Sequence, residues 1–274
     1  MKTEASEAPG LGGSADAMAQ LLRTIEGEII PRLLLAHQSS PDKDATEGGA
    51  NARSESEDVV EFARLIVAHD IGVAQSFIQA MLSRGVSLER IYLELLAPAA
   101  RQLGEWWKQD QRDFTQVTIG LGRLHQLLRE LSPAFLSDAE RAPEGQRILL
   151  APLPGEQHTF GLIMVGEFFR RAGWEVWDAY PATAAELLGM VSAQRCSVIG
   201  LSLSCGSRLE ELPSLIRDIR AASCNPAARL MVGGLPFIER PELVNTVGAD
   251  ATASDGLRAA REGAKLMSHL ANRV

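Results

Sequence analysis

The stretch RILLAPLPGEQHTFG, residues 147–161, gives the clearest indication of the fold. It starts as a short continuous apolar run, turns at Pro and Gly residues, and passes into a helical pattern that begins at Phe160. Strands that are buried on both faces of a sheet read as continuous apolar runs. The stretch therefore predicts a parallel strand followed by its crossover helix.

The same alternation continues towards the C-terminus. Further apolar runs lie at Trp174 to Trp177, Ser197 to Leu203 and Leu230 to Val232, and helical patterns lie at Phe160 to Arg171, Ala184 to Gln194, Leu209 to Ala222 and Gly256 to Leu270. Strands that alternate with helices favour a parallel sheet with helices on its faces. We expect an α/β domain over residues 146–274, with a doubly wound, flavodoxin-like parallel sheet.

The preceding region has helical periodicity instead. From Val59 to about Leu136, apolar residues recur three and four positions apart in four stripes. Ser87 is a predicted N-cap of the third helix, and Asp113 followed by Gln116 resembles a capping box that opens the fourth. Four amphipathic helices with short connections predict a helical bundle module, over residues 58–140.

Residues 1–57 have a different composition. They are interpreted as a disordered tail to about Ala17, one helix from Met18 to about Ala36, and a linker from Gln38 to Glu57 that is rich in Ser, Asp and Gly. The tail has no apolar core of the kind that a secretory signal needs.

Composition excludes several classes of protein. The 274 residues are 46% hydrophobic and 23% charged, and the net charge of -8 argues against a dominant electrostatic grip on nucleic acid or on an anionic membrane. No apolar run is long enough to suggest a membrane span. The three cysteines are an odd number and lack metal-ligand spacing, so we expect a reducing, cytoplasmic compartment and no disulfide framework.

Polar residues and glycines follow three of the predicted strands at their carboxyl ends. His158 follows the first strand, Ser202 and Ser204 end the third, and Gly233-Gly234 ends the fourth. In an open parallel sheet the ligand lies beyond these ends, at the topological switch point. Each feature alone is more often an ordinary cap or turn, but the three together indicate a site with a metal-capable imidazole and an accessible backbone.

The residues from Glu156 to Gly161 resemble the Asp/Glu-x-His-x-x-Gly signature of the cobalamin-binding fold. Ser202 resembles that family's serine after the third strand, and Gly233-Gly234 resembles its glycine pair after the fourth. The resemblance covers the whole C-terminal half of the chain. It implies that cobalamin binds with its own base displaced, and that His158 becomes the lower ligand of the cobalt.

The resemblance also implies roles for the surrounding residues. Glu156 hydrogen-bonds the imidazole or its surroundings and tunes its basicity. Gly161 lets the following helix start close to the nucleotide tail of the cofactor. Ser202 lines the cleft for that tail, Ser204 serves the same cleft as a second hydroxyl, and Gly233-Gly234 keeps the cleft open.

The upper face of the corrin is predicted less completely. Light-sensing members of the family that hold adenosylcobalamin carry a tryptophan in the helical module, followed ten residues later by Glu-His. Trp107 fits the tryptophan, whereas Val117-Thr118 stands where Glu-His would. Trp107 and Thr118 are therefore candidate upper-face residues, without a histidine ligand at that point. The alternative for Trp106 and Trp107 is packing between the helices.

The overall layout is similar to the AerR/PpaA group of bacterial antirepressors. The module residues Trp107 to Asp110, Asp113 to Thr115 and Val117 to His125 look like that group's own version. The resemblance implies control of photosynthesis genes through a partner repressor of the CrtJ/PpsR type. The signals would be light and cobalamin, bound in its hydroxo or adenosyl form.

We therefore expect a regulator without enzymatic turnover, and no direct contact with nucleic acid or membrane. The alternative is a corrinoid methyl-carrier subunit of a methyltransferase system, against which the long N-terminal region counts. A third hypothesis is a relative that binds haem or no cofactor. Hydrolase, Walker-loop and dinucleotide-binding motifs do not occur in the sequence.

Overall fold

The computed structural model describes residues 51–139 and 146–271. The predicted tail, the predicted helix from Met18 and the linker up to residue 50 lie outside these ranges. The described residues divide into two compact units, one that ends at Leu127 and one that begins at Leu128. Among them, no helix is both long and apolar enough to cross a membrane.

The first unit is helical, as the periodicity predicts. Its elements are α1 (Asn51–Ala68), α2 (Ile71–Ser83), α3 (Leu88–Arg90), a π-helix (Ile91–Leu96), α4 (Ala97–Lys108) and the first part of α5 (Phe114–Phe135). The predicted caps are confirmed, because Ser87 Oγ accepts from the Arg90 amide at 3.3 Å and Asp113 Oδ1 accepts from the Gln116 amide at 2.8 Å. The core of this unit includes Phe62 and Phe77, whose rings lie 5.3 Å apart.

The third helix of this unit is not a regular α-helix. Its middle turn is a π-helix, in which the Ala97 amide donates to the Tyr92 carbonyl five residues earlier. Pro98 follows directly and has no N–H with which to continue the α-helical ladder. Local widening of this kind relieves the conflict between proline and the preceding turn, and periodicity alone did not predict it.

The linker prediction is wrong at its C-terminal end. Helix α1 begins at Asn51, so residues 51–57 are helical instead of linker. The segment from Asn51 to Glu57 is polar but contains neither Gly nor Pro. Nothing in its local chemistry stops a helix from extending N-terminally from the apolar stripe that starts at Val59.

The second unit is an α/β domain and confirms the predicted fold class. After the end of α5 its elements are β1 (Arg147–Pro152), α6 (Phe160–Arg171), β2 (Glu175–Asp178), α7 (Ala184–Ala193), β3 (Val198–Ser202), a 3₁₀-helix (Gly206–Glu211), α8 (Leu212–Ala222), β4 (Arg229–Gly233), α9 (Leu235–Glu239), α10 (Leu243–Val247), β5 (Ala251–Thr252) and α11 (Gly256–Ala271). All pairings are parallel, in the order β2-β1-β3-β4-β5. This flavodoxin-like order has its switch point between β1 and β3.

Helices cover both faces of the sheet. Helices α6 and α11 pack together, and α7 packs against α8. The core beneath α7 and α8 contains alternate strand residues such as Leu149, Ile199 and Leu230. On the other face, Gly200 lies so close to Leu150 that a β-carbon would stand 2.7 Å from that side chain.

The structure adds short elements that periodicity does not predict. Strand β5 has two residues, and α9 and α10 have five each, which is too short for a repeating pattern. The predicted helix from Leu209 to Ala222 divides into the 3₁₀-helix and α8, which has Pro213 in its first turn.

Candidate functional site at the carboxyl edge of the sheet

The site is built from the loops that follow β1 and β3. These strands are neighbours at the switch point, and their register pairs Pro152 with Ser202. The Leu153 amide donates to the Ser202 carbonyl at 2.8 Å, which holds the start of the β1 loop against the end of β3. Gly155 then turns the chain at φ +78°, a conformation that favours glycine. Glu156 and His158 follow this turn, and both lie within hydrogen-bond distance of Ser204, just beyond the end of β3.

Glu156, His158 and Ser204 form one hydrogen-bonded group. Glu156 Oε1 accepts from the His158 amide at 3.1 Å and lies 2.5 Å from the ring nitrogen Nδ1. Glu156 Oε2 accepts from the Ser204 hydroxyl at 2.5 Å, and Ser204 Oγ lies 3.1 Å from Nδ1. The carboxylate therefore fixes both the loop backbone and the orientation of the imidazole.

Burial differs sharply within this group. The Glu156 side chain is 7% exposed, whereas the His158 side chain is 62% exposed. Burial by itself raises the pKa of Glu156, but hydrogen bonds from Ser204, from the His158 ring and from the His158 backbone outweigh it and lower that pKa to about 2. Glu156 is therefore an anion at neutral pH, held below an exposed imidazole.

The anion determines which nitrogen of His158 is available. A carboxylate only accepts hydrogen bonds, so the Nδ1 that faces Glu156 carries the proton. In a neutral imidazole the lone pair is then on Nε2, which has no hydrogen-bond partner among the described residues. A histidine fixed through one nitrogen and free at the other is the usual arrangement of a metal ligand.

Open space adjoins the ends of the strands. A β-carbon built on Gly161, in the first turn of α6, would meet nothing within 4 Å, and the same holds for Gly233 at the end of β4. Gly233 is the register partner of Ser202, so these two residues lie side by side at the sheet edge. Gly161 and Gly233 therefore leave room for a ligand, and Ser202 places a hydroxyl beside that space.

Gly234 has a different role from Gly233. Its φ is +108°, and a β-carbon there would overlap the Leu203 carbonyl. The chain therefore requires glycine at this position in order to pass β3 closely and to start α9. Gly234 maintains the shape of the edge through backbone packing.

Ser204 has a contact that the sequence does not predict. The sequence predicts a second hydroxyl of the tail cleft at this position, and the structure shows that the hydroxyl donates to Glu156. Strand β3 ends at Ser202, so the alternation that would place residues 202 and 204 on one face no longer applies. The contact joins residues from two strands, and no local spacing predicts it.

The remaining predicted residues, Trp107 and Thr118, lie in the helical unit. Trp107 is 47% exposed and Thr118 is exposed, whereas Trp106 is buried beneath the Arg112 guanidinium. Packing in the helical unit therefore explains the presence of Trp106, whereas it does not explain the exposed Trp107. His125 directs Nδ1 at the Leu121 carbonyl at 2.8 Å, in its own helix.

Two family models match the chain. Residues 146–261 match a B12 binding domain, and residues 60–131 match a second model of the same description. The first range contains the Glu156–His158–Ser204 group, and the second contains both Trp107 and Thr118.

Curated relatives come from more than one functional class. An uncharacterized 20.5 kDa protein in the bchF-crtJ intergenic region of Rhodobacter capsulatus is 29% identical over 170 residues, which are 62% of this chain and 88% of that protein. The HTH-type transcriptional repressor CarA of Myxococcus xanthus is 35% identical over 160 residues, 58% of this chain but only 52% of CarA. Monomethylamine corrinoid protein 1 of Methanosarcina mazei is 22% identical over 74% of this chain and 94% of that protein.

A solved structure has the same fold. The monomethylamine corrinoid protein of Methanosarcina barkeri superposes with a TM-score of 0.63 at 15% identity, over 77% of this chain and 99% of that one. The chain therefore has the fold of that corrinoid protein, and it carries one match to a B12 binding domain at residues 60–131 and another at residues 146–261.

Proposed function

We propose that this chain is a cobalamin-dependent transcriptional regulator in which His158 is the lower ligand of the cobalt. The observation that carries the proposal is the pairing of a buried, anionic Glu156 with an exposed imidazole whose Nε2 has no partner within residues 51–139 and 146–271. The pair lies at the switch point of a sheet that belongs to a B12-binding domain.

The residues present fit the cofactor. A bound corrin would leave its cobalt able to take a nitrogen ligand from the protein, and His158 would supply that nitrogen. The open space at Gly161 and Gly233 leaves room for the nucleotide tail between α6 and the end of β4. Ser202 lies on the same edge, where its hydroxyl can line that cleft.

Glu156 and Ser204 orient the ligand and determine which of its nitrogens is available. Glu156 holds the Nδ1 proton of His158, which increases electron density at Nε2 and fixes the ring plane. Ser204 donates to the other carboxylate oxygen and keeps Glu156 ionised and oriented. Loss of either contact weakens His158 as a ligand, because the ring is otherwise largely exposed.

A bound cobalamin would supply ligand exchange at its cobalt or, in an alkyl form, a cobalt–carbon bond that light can break. Trp107 and Thr118 are the residues that we assign to the upper face. Threonine is a poor cobalt ligand compared with histidine, so Thr118 would line that face and would not coordinate the cobalt. We propose the hydroxo or the adenosyl form.

The regulatory part of the proposal is supported by two relatives. One is a transcriptional repressor, and the other is encoded in the bchF-crtJ region. We propose that this chain acts as an antirepressor that binds a repressor of the CrtJ/PpsR type and so controls photosynthesis genes, with light as the signal. It acts in the cytoplasm, without catalysis and without direct contact with DNA.

The test is to measure how the repressor binds its operator with this protein added, in the dark and after illumination, with and without adenosylcobalamin. His158→Ala should lose the cobalamin-dependent change, whereas the control His69→Ala, an exposed residue of the helical unit, should keep it. An unchanged response in His158→Ala would exclude sensing through this ligand.

The alternative function is a corrinoid methyl carrier, favoured by the monomethylamine corrinoid relative. The same His158 would then hold a cobalt that is methylated and demethylated. Incubation of the reduced corrinoid protein with methyl donors separates the two functions. Formation of methyl-cobalt at catalytic rates would favour the carrier and contradict the regulator.

A further inference from the structure

We propose that Tyr180, in the loop after β2, is a further contact residue for the cofactor and packs against the rim of its corrin ring. The proposal rests on the proposed function, because it adds a residue to the site that His158 defines. Strand β1 lies between β2 and β3 in the sheet. The loop after β2 therefore borders the loop that carries His158, residues 153–159, on the side opposite Ser204.

The backbone around Tyr180 is bonded to β1 and to the loop that follows it. The Ala179 amide donates to the Leu150 carbonyl of β1 at 2.8 Å. The Gly155 amide, at the turn of the loop that carries His158, donates to the Pro181 carbonyl at 3.2 Å. These two contacts hold the residues on each side of Tyr180, so they fix its position relative to the ligand loop.

The start of α7 fixes the same loop from its other end. The Ala182 amide donates to Glu186 Oε2 at 2.8 Å, and the Glu186 amide donates to Thr183 Oγ1 at 3.2 Å. This reciprocal pair has the form of a capping box. Both sequence neighbours of Tyr180 are buried, whereas Tyr180 itself is 52% exposed. A well-held loop thus presents one large side chain to solvent, and a preorganised contact loses little entropy when a ligand binds.

The chemistry of tyrosine suits the rim of a corrin. That rim carries methyl groups and amide side chains, so it offers apolar surface together with hydrogen-bond acceptors. A tyrosine ring covers apolar surface, and its hydroxyl donates at the edge. Partial burial raises the pKa of Tyr180, and the nearby charge of Asp178 raises it further. The hydroxyl therefore keeps its proton at neutral pH and can donate to an amide carbonyl.

The order of the strands separates this contact from the tail cleft. Adjacent strands lie only about 4.8 Å apart, and a corrin with its side chains is wider than that. A corrin held by His158 would therefore extend over the loop after β2. The cleft that we assign to the nucleotide tail is bordered by Gly233 at the end of β4, on the opposite side of β1. Tyr180 is accordingly assigned to the ring and not to the tail.

The first experiment uses the small number of tyrosines in this chain. The sequence contains two, and Tyr92 is 0% exposed, so a reagent dissolved in water reports on Tyr180. Full-length protein is treated in the dark with N-acetylimidazole, alone, with hydroxocobalamin and with cobinamide, which lacks the nucleotide tail. The mass of the peptide that contains Tyr180 gives the rate of acetylation. We expect each corrinoid at saturation to slow this rate several-fold.

The second experiment measures affinity by spectral titration. Tyr180→Ala should weaken the binding of hydroxocobalamin and of cobinamide alike by about tenfold, because it removes an apolar contact. Tyr180→Phe keeps the ring and loses only the hydroxyl, so it should lose less affinity. Met190→Ala is the matched control. It also removes an exposed large side chain, but one about 9 Å along α7 from the first residue of that helix, and it should bind both corrinoids like the wild type.

Three results would overturn the proposal. The first is unchanged acetylation of Tyr180 while the spectrum shows a corrin bound through His158. The second is equal affinity of Tyr180→Ala and Met190→Ala for both corrinoids. The third is protection by hydroxocobalamin but not by cobinamide at saturation, which would place the contact at the tail. Failure of the proposed function is distinguishable, since the wild type would then give no His158-dependent spectrum, and this inference would fail with it.

Discussion

The Ser204 hydroxyl lies 2.5 Å from Glu156 Oε2, although the two residues are 48 positions apart in the chain. This contact ties the loop after β3 to the loop after β1 and completes the group that orients His158. It also contributes to the low pKa of Glu156. The site is therefore prepared by two strands before any ligand arrives.

Ser204→Ala should weaken the binding of hydroxocobalamin roughly tenfold, as is usual when a residue that orients a metal ligand is removed. The variant takes one hydrogen bond from Glu156 and leaves His158 in place. Spectral titration measures the dissociation constant. Ser207→Ala is the control, because its hydroxyl contacts Cys205 and not the carboxylate. Equal affinity in the two variants would exclude Ser204 from the site.

The pH dependence of stability should show the Glu156 contacts. The pKa of Glu156 falls from 4.5 to about 2 in the folded protein, so the stabilisation is complete above pH 4.5 and is lost as the pH falls towards about 2. The difference in free energy of unfolding between wild type and Glu156→Gln should therefore shrink over this window. Urea unfolding without cofactor measures it. Glu242→Gln, at an exposed position, should follow the wild-type curve, and a constant difference for Glu156→Gln would contradict the account.

Substitution by alanine should destabilise the protein strongly at Gly234 and only slightly at Gly233. Gly234→Ala places a β-carbon on the Leu203 carbonyl at a positive φ, so we expect a loss of about 3 kcal/mol in the free energy of unfolding. Gly233→Ala meets open space and should change stability by less than about 1 kcal/mol.

Cobalamin binding should also depend on Gly233. Gly233→Ala should weaken cobalamin binding by about 1–3 kcal/mol, because the methyl group occupies the cleft. Cobinamide, which lacks the nucleotide tail, is the control ligand and should bind wild type and Gly233→Ala alike. Unchanged affinity for cobalamin in Gly233→Ala would place the tail elsewhere.

Much of the fold follows from periodicity. The runs that begin at Arg147 and Ser197 are continuous and apolar because β1 and β3 are covered on both faces, which is a property that a sequence records directly. Strand β5 is not predicted, because its two residues form a strand only through their pairing with β4. The start of α1 at Asn51 is not predicted either, because a polar segment without Gly or Pro is compatible with both a helix and a linker.

The site is predictable where its residues share one loop or end neighbouring strands, as Ser202 and Gly233 do. The spacing of Glu156 and His158 places both in one loop, and the structure brings them into contact. The link to Ser204 depends on the register of β1 and β3 and on a loop beyond the strand end, neither of which the sequence states. Exposure of Trp107 beside buried Trp106 likewise depends on the packing of α4.

The central claim is that His158 is the ligand of a light-responsive cofactor. Wild type and His158→Ala are mixed in the dark with hydroxocobalamin and, separately, with adenosylcobalamin, and absorption spectra are recorded before and after illumination. We expect a base-off, histidine-ligated spectrum in wild type that illumination changes and that His158→Ala lacks. Retention of the same spectrum by His158→Ala, or no corrin retained by the wild type, would contradict it.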